Sequence, residues 1–377
     1  MSEVKKILAV TNNFPTPRFP EKGVFVMNIL KEMRRQGIEV DVIAPISLGT
    51  EFKRMKRSPV KVDFEGLNVI QPYYLSIPQR FPRFRKAITR INDFLFGLAV
   101  WLCYRKKDYD LVYTHFLQSA IPVITFLRRN TAPILLNLGE SDPWDYDIYY
   151  GKKGWLNYLQ KVTLLVTVSK VNYDYVLSLD ANLKERTRYI PNGVNTNFFK
   201  PLDFVESRKK LGLDLATKYI VFCGHLDERK GPLRVYEAIK GSSIKGIFLG
   251  SNGPDVPVGD EVAYVGPVEN GLVPLYLSAC DAFVLPSRSE GMSNAVLEAM
   301  ACCIPLVVSD KSFNTDFLTS EVATFVDPDN VADIKQGINA VLEAKRNAEM
   351  RTALKVFRDQ FSIETRIKRI LNFAAGN

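Results

Sequence analysis

The stretch Ala282-Phe-Val-Leu-Pro-Ser-Arg-Ser-Glu-Gly-Met-Ser-Asn-Ala-Val-Leu-Glu-Ala-Met-Ala301 changes character twice. Four consecutive apolar residues stopped by Pro286 read as a strand buried on both faces. A short polar loop follows, and then Asn294–Ala301 carries a helical pattern that Ser293 is placed to cap. A strand running through a short loop into a helix is the repeating unit of a parallel sheet covered by helices. Ligands of such sheets bind beyond the carboxyl ends of the strands, which here is the loop holding Glu290. Glu298 follows eight residues later, within the helix. That separation lets the two carboxylates face different ends of one bound ligand. Gly291 lets backbone approach a ligand closely, and the free amides of the helix start favour a phosphate.

The same alternation extends to both sides. Strands are expected at residues 219–223, 246–249, 262–265 and 306–308, with helices at 233–240, 272–279 and 331–344 between and after them. An earlier series has strands at 7–11, 39–44, 111–113, 134–137, 164–168 and 188–190. Its helix 26–36 is closed by Gly37. Between the two series lies Pro191-Asn-Gly-Val-Asn195 to Lys200-Pro201, whose residues favour turns. The 377 residues are thus expected to form two α/β domains, doubly wound and Rossmann-like, facing a cleft.

Composition narrows the function. Five scattered cysteines and two histidines suggest no metal site and no disulfide framework, so a reducing, cytoplasmic compartment is expected. Residues 1–200 hold 30 Lys and Arg against 18 Asp and Glu, whereas the remainder holds 20 against 23. The excess is densest at Lys53-Arg-Met-Lys-Arg57, at Arg80, Arg83, Arg85, Lys86 and Arg90, and at Arg105-Lys-Lys107. Phe81, Phe84, Phe94, Phe96 and Trp101 lie among these cations. Such a segment is either a solvated basic face around a core helix or a contact with an anionic membrane surface. No nucleic-acid-binding motif accompanies the charge, so nucleic acid is not an expected partner. The apolar run Phe94–Tyr104 has eleven residues against the roughly 20 a membrane span needs, and reads as a buried or interfacial helix.

A second chemical segment is Phe222-Cys-Gly-His-Leu-Asp-Glu-Arg-Lys-Gly231, where a strand ends, a polar loop follows and Lys230 precedes a helix. Cations in such a loop can stabilise charge developing on a leaving diphosphate.

At this point the chain resembles the retaining glycosyltransferases of family 4, which have the GT-B fold. Their signature is Glu-x7-Glu inside strand–Pro-Ser-x-x-Glu-Gly–helix, and residues 282–308 follow it nearly throughout. The resemblance also includes Ile190-Pro-Asn-Gly-Val-Asn195, the segment 222–231, Val265-Gly-Pro-Val268, Leu277-Ser-Ala-Cys-Asp281, Gly23 and Thr114-His115. It implies an N-terminal acceptor-binding domain over 1–195, a donor-binding domain over 196–360, and a C-terminal helix over 361–377 packing back toward the N-terminal domain.

The resemblance implies that Glu290 contacts hydroxyls of the transferred sugar, that Glu298 accepts from the nucleotide ribose, and that Lys230, beside Arg229, is the phosphate cation. His225 stands where the family usually has arginine. Backbone around Gly291, Met292, Ser293 and Asn294 meets sugar and phosphate, and Val268 lines the base pocket. Gly23 admits the donor phosphate, and His115 lies near the acceptor or reacting sugar. Leu138-Gly-Glu-Ser-Asp142 stands where the family often reads His-Gly-x-Asp. Glu140 and Asp142 are acceptor candidates there, in a loop expected to be exposed.

The implied reaction moves a hexose-type sugar from a UDP- or GDP-linked donor to a glycan or lipid-linked glycan, with retention and without metal or cofactor, in surface polysaccharide biosynthesis. The implied location is cytoplasmic, at the inner face of the cell membrane. A sugar-nucleotide epimerase and a non-catalytic nucleotide-sugar-binding subunit remain alternatives. A nicotinamide dehydrogenase does not, because strand one leads into Asn12-Asn-Phe-Pro15 and not into a Gly-x-Gly-x-x-Gly turn.

Overall fold

The computed structural model describes residues 4–16, 19–20, 22–48, 61–64, 66–78, 82–104, 108–127, 132–140, 145–250 and 253–376. Lys53–Arg57, Arg80, Phe81, Arg105–Lys107 and Asp142, all singled out above, lie outside them, as do Pro17, Arg18 and Glu21 of the first loop. The chain divides into two units, Met1–Pro191 with Ile367–Asn377, and Asn192–Arg366.

The first unit carries strands β1 (Lys6–Val10), β2 (Glu39–Ile43), β3 (Ile46–Ser47), β4 (Lys61–Phe64), β5 (Leu67–Ile70), β6 (Tyr73–Tyr74), β7 (Leu111–His115), β8 (Ile134–Leu138), β9 (Leu164–Thr167) and β10 (Thr187–Tyr189). Eight of them form one sheet in the order β10-β9-β8-β7-β1-β2-β5-β4. All its pairings are parallel except β4 with β5, a hairpin at the edge. The chain winds outward from β1 in one direction and then from β7 in the other, so the switch in strand order falls between these two strands. Helices bury the central strands, and Ile7, Leu8, Val10, Leu111 and Val112 are all at most 1% exposed. Helix Leu117–Phe126 is apolar around most of its circumference, with Gln118 and Thr125 exposed, and sits between two core clusters, contributing Leu117, Ala120, Ile121 and Ile124 to one and Val123 to the other. Arg188 lies over the ring of Phe373, joining the last strand of the sheet to the C-terminal helix of the same unit.

The second unit has β11 (Tyr219–Cys223), β12 (Lys245–Leu249), β13 (Val262–Gly266), β14 (Ala282–Leu285), β15 (Leu306–Ser309) and β16 (Ala323–Val326). Their order is β13-β12-β11-β14-β15-β16, all parallel. Renumbered from β11 this is 3-2-1-4-5-6, the Rossmann order, with its switch point between β11 and β14. The two chemical segments of the sequence are the loops that leave these two neighbouring strands. One buried polar group braces the unit. Arg208, 1% exposed, donates to the carbonyls of Ala279, Asp214, Leu215 and Thr217 and pairs with Asp281 at 2.7 Å. A buried guanidinium is tolerated because its donors are used. The aspartate ending Leu277–Asp281 therefore has a structural duty, which also includes an ion pair with Lys218.

Candidate active site

In the second unit the loops after β11 and β14 are laced together. Arg288 N donates to the carbonyl of Arg229 at 2.9 Å, and Arg234 donates to the carbonyls of Glu228 and Pro286. Asp227 accepts from the amide of Lys230, closing the turn before helix Pro232–Ile239. Gly231 takes the cap position of that helix with φ +81°, a left-handed backbone that suits glycine.

Within this frame both cations converge on one carboxylate. Glu290 Oε1 pairs with the Lys230 ammonium, lies 3.1 Å from Arg229 Nη1 and accepts from Ser287 Oγ at 2.9 Å. Arg229 Nη1 also donates to the carbonyl of Ser289 at 2.7 Å. Lys230 is 8% exposed, and its stem lies over Gly224 at the end of β11. Residues sixty apart in sequence meet because β11 and β14 are adjacent strands.

Glu298 lies on helix Asn294–Ala301, and the charge of its carboxylate acts on the Cys223 thiol at the end of β11. Its carboxyl makes no hydrogen bond or ion pair with the described residues, and burial raises it to about 8. A carboxylate so placed lacks partners that a ligand can supply. Ser293 corrects an expectation. It occupies the cap position, but its hydroxyl accepts no helix amide, and its buried Oγ has no partner. The first-turn amides of this helix are therefore uncapped by side chains. Gly291 and Met292 are buried, Asn294 is half-buried, and Met292 Sδ accepts from the amide of Asn192 at 3.0 Å. Val268 is half-buried just after β13. His225 is exposed, and among the described residues no hydrogen bond or ion pair joins it to the Lys230–Glu290 cluster.

The first unit gathers its candidates at its own switch point. Gly23 caps helix Val24–Arg35 with φ +66°, and a Cβ there would stand 2.2 Å from the Asn13 carbonyl oxygen. Contact with the loop after β1 is thus what demands glycine. His115 ends β7, two residues beyond the expected strand. It is 2% exposed, with Nδ1 2.9 Å from the Tyr113 hydroxyl, Asn137 Nδ2 3.3 Å from Nε2, and Phe25 and Phe116 edge-on.

Phe116 has φ +68° and ψ 150°, a region nearly reserved for glycine, and its amide is held by the Asn137 carbonyl at 3.0 Å. Glu140 departs from the exposed loop expected of it. Its Oε1 caps helix Leu117–Phe126 by accepting from the amide of Leu117 at 3.0 Å and also accepts from the Tyr146 hydroxyl. Its Oε2 is buried without a partner, and burial raises the carboxyl to about 6. Neither the strained Phe116 nor this cap was signalled by local sequence. Among the described residues no group of three or more His, Cys, Asp or Glu is placed to hold a metal.

Comparison with known proteins accords with this geometry. Residues 23–198 match the family described as Glycosyltransferase Family 4, and residues 203–356 match Glycosyl transferases group 1. The putative teichuronic acid biosynthesis glycosyltransferase TuaC of Bacillus subtilis is 28% identical over 81% of each chain. The Escherichia coli UDP-Gal:alpha-D-GlcNAc-diphosphoundecaprenol alpha-1,3-galactosyltransferase is 25% identical over 77% of this chain and 81% of its own. Among solved structures, sucrose-phosphate synthase of Thermosynechococcus elongatus superposes with a TM-score of 0.76 at 17% identity, covering 99% of this chain and 98% of its own. Anabaena HepE in complex with UDP and glucose does so with a TM-score of 0.73 at 16% identity, covering 99% and 100%. With two parallel-sheet units matched in order by these two families, the chain belongs to the family 4, group 1 glycosyltransferases and has the GT-B fold.

Proposed function

We propose that this glycosyltransferase moves a hexose-type sugar from a UDP- or GDP-linked donor to a glycan or lipid-linked glycan acceptor at the inner face of the cell membrane, with retention of anomeric configuration. The observation that carries the reading is the convergence of Lys230 and Arg229 on Glu290 at the switch point of the second sheet. A donor diphosphate bound there has two cations beside it and the amides of helix Asn294–Ala301 nearby. The bond from the sugar's anomeric carbon to the diphosphate oxygen breaks, and Lys230 and Arg229 offset the charge left on the phosphate without a metal. Glu290 steadies both cations and accepts from hydroxyls of the sugar. Glu298, lacking internal partners, accepts from the ribose. The acceptor hydroxyl attacks from the face the leaving group vacates, and its proton passes to the departing phosphate oxygen. The polysaccharide context is supported by the names of the teichuronic acid and diphosphoundecaprenol relatives.

The test is product analysis. Purified chain is incubated with a panel of UDP- and GDP-sugars and glycan or polyprenyl-diphosphate-linked glycan acceptors, and the new linkage is read by NMR. The expected product keeps the donor's anomeric configuration. An inverted linkage overturns the mechanism, and an epimerised nucleotide sugar formed without transfer overturns the function.

A further inference from the structure

Helix Arg85–Cys103 is apolar on two faces. Ile88, Phe96, Ala99 and Val100 are buried in the first unit. The opposite stripe consists of Phe84, Ile91, Phe94, Trp101 and Leu102, which are 45–68% exposed. These positions recur at helical spacing, so they form one band about 27 Å long at 1.5 Å per residue. Two neighbouring segments flank it. Ile77 exchanges two hydrogen bonds with Asn92, which brings the exposed Leu75 and Ile77 alongside. Tyr150 donates to Asp93 at 2.9 Å, which brings up helix Asp145–Tyr150 with its exposed Ile148. Seven of the seventeen exposed large apolar side chains among the described residues fall between positions 75 and 102. Scattered exposed apolar residues need no explanation, but a contiguous band of them marks a docking surface.

The charge around the band identifies the occupant. Arg83, Lys86 and Arg90 are exposed at its N-terminal end. The one acidic residue of the helix, Asp93, is already engaged by Tyr150. A second copy of the chain seated on this face would desolvate three cations, while the helix offers no carboxylate to pair with them beyond Asp93, which Tyr150 already holds. An anionic bilayer offers both an apolar boundary and negative headgroups. No helix among the described residues is long and apolar enough to cross a membrane. We propose that helix Arg85–Cys103 lies in the plane of an anionic bilayer, with Phe84, Ile91, Phe94, Trp101 and Leu102 at the acyl boundary and Arg83, Lys86 and Arg90 at the headgroups. This surface rests on the proposed lipid-linked acceptor only for its purpose, because binding to lipid is measured without donor or acceptor.

The experiment is cosedimentation of the full chain with vesicles of phosphatidylcholine alone or mixed with phosphatidylglycerol. The wild-type chain binds the anionic vesicles and only weakly the neutral ones. Each removed cation weakens binding about fivefold, so the triple variant Arg83→Ala, Lys86→Ala, Arg90→Ala loses roughly a hundredfold. The double variant Phe94→Ser, Leu102→Ser loses on the order of tenfold or more. These positions are exposed, so thermal midpoints and transfer to a water-soluble acceptor stay at wild-type values. Trp101 supplies an independent readout: brominated lipids quench wild-type fluorescence more than that of Trp101→Phe. Wild-type chain that ignores anionic vesicles, or apolar and cationic variants that bind like wild type, overturns the proposal. So does a dimer in sedimentation velocity that the apolar double variant converts to monomer while vesicle binding is unchanged. That result assigns the face to a second copy. Failure of sugar transfer with vesicle binding intact instead points to the proposed reaction.

Discussion

Replacing Lys230 with alanine separates a catalytic cation from a structural one. In the wild-type chain its ammonium is buried against Glu290. Stripping a buried ion of its only partner costs about 3–5 kcal/mol. Glu290, however, keeps Arg229 at 3.1 Å and Ser287 at 2.9 Å, so its carboxylate is not orphaned. The expected stability loss is therefore smaller, about 1–2 kcal/mol. For a unit of this size that is a fall in midpoint of about 3–6 °C. The expected kinetic loss is larger. Removing one preorganised group that meets developing charge costs about 100- to 1000-fold in kcat, or roughly 3–4 kcal/mol. The assay pairs differential scanning calorimetry with kcat and KM for transfer at saturating donor. A variant whose midpoint falls by several degrees while kcat stays within about threefold of wild type refutes the reasoning, because the lysine would then only brace the loop. Glu290→Gln is expected to fall in kcat as well, since it releases both cations from their shared anchor.

Three further outcomes follow from the same geometry. Burial lifts the folded Glu298 carboxyl from 4.5 to about 8, so between those values the folded chain keeps a proton that the unfolded chain has lost. Stability therefore declines as the pH rises through that window, and Glu298→Gln flattens the decline in thermal midpoints recorded from pH 5 to 8. Gly23→Ala combines a left-handed backbone with a Cβ 2.2 Å from the Asn13 carbonyl oxygen, and is expected to destabilise the first unit by about 1–3 kcal/mol in urea unfolding. Wild-type stability in the alanine variant would show that the Asn13–Phe14 loop moves freely away. Glu140→Ala removes the cap on Leu117 and a partner of Tyr146, with an expected cost of about 1–2 kcal/mol in the same assay. A loss under a few tenths would deny the cap any role.

Much of the frame was legible from local pattern. Tyr219–Cys223, Ala282–Leu285 and helix Asn294–Ala301 fall on the residues that their apolar runs and flanking turn residues indicate. The meeting of Lys230 with Glu290 was accessible because Rossmann winding makes the first and fourth strands neighbours. Other features depend on contacts that local sequence does not carry. Helix Leu117–Phe126 is buried except at Gln118, Thr125 and part of Phe126 and contains Pro122, so its amphipathic period is weak. Helix Arg85–Cys103 was visible only in its apolar second half, because cations on its exposed side disguise the first. Ser293 has the residue type of a cap, yet side-chain identity does not dictate where a hydroxyl points. The strained backbone of Phe116 and the reach of Glu140 to Leu117 arise where the ends of the adjacent strands β7 and β8 come together.

Isothermal titration of the purified chain with UDP, GDP and the corresponding nucleosides asks whether the acidic and cationic loops of the second unit hold a diphosphate. Wild-type chain should bind one of the two diphosphates much more tightly than its nucleoside. Lys230→Ala should weaken that diphosphate by about tenfold or more while leaving the nucleoside unchanged. A chain that binds neither diphosphate, or a Lys230→Ala variant that binds the diphosphate as well as wild type, would contradict the donor site placed at Lys230, Arg229 and Glu290.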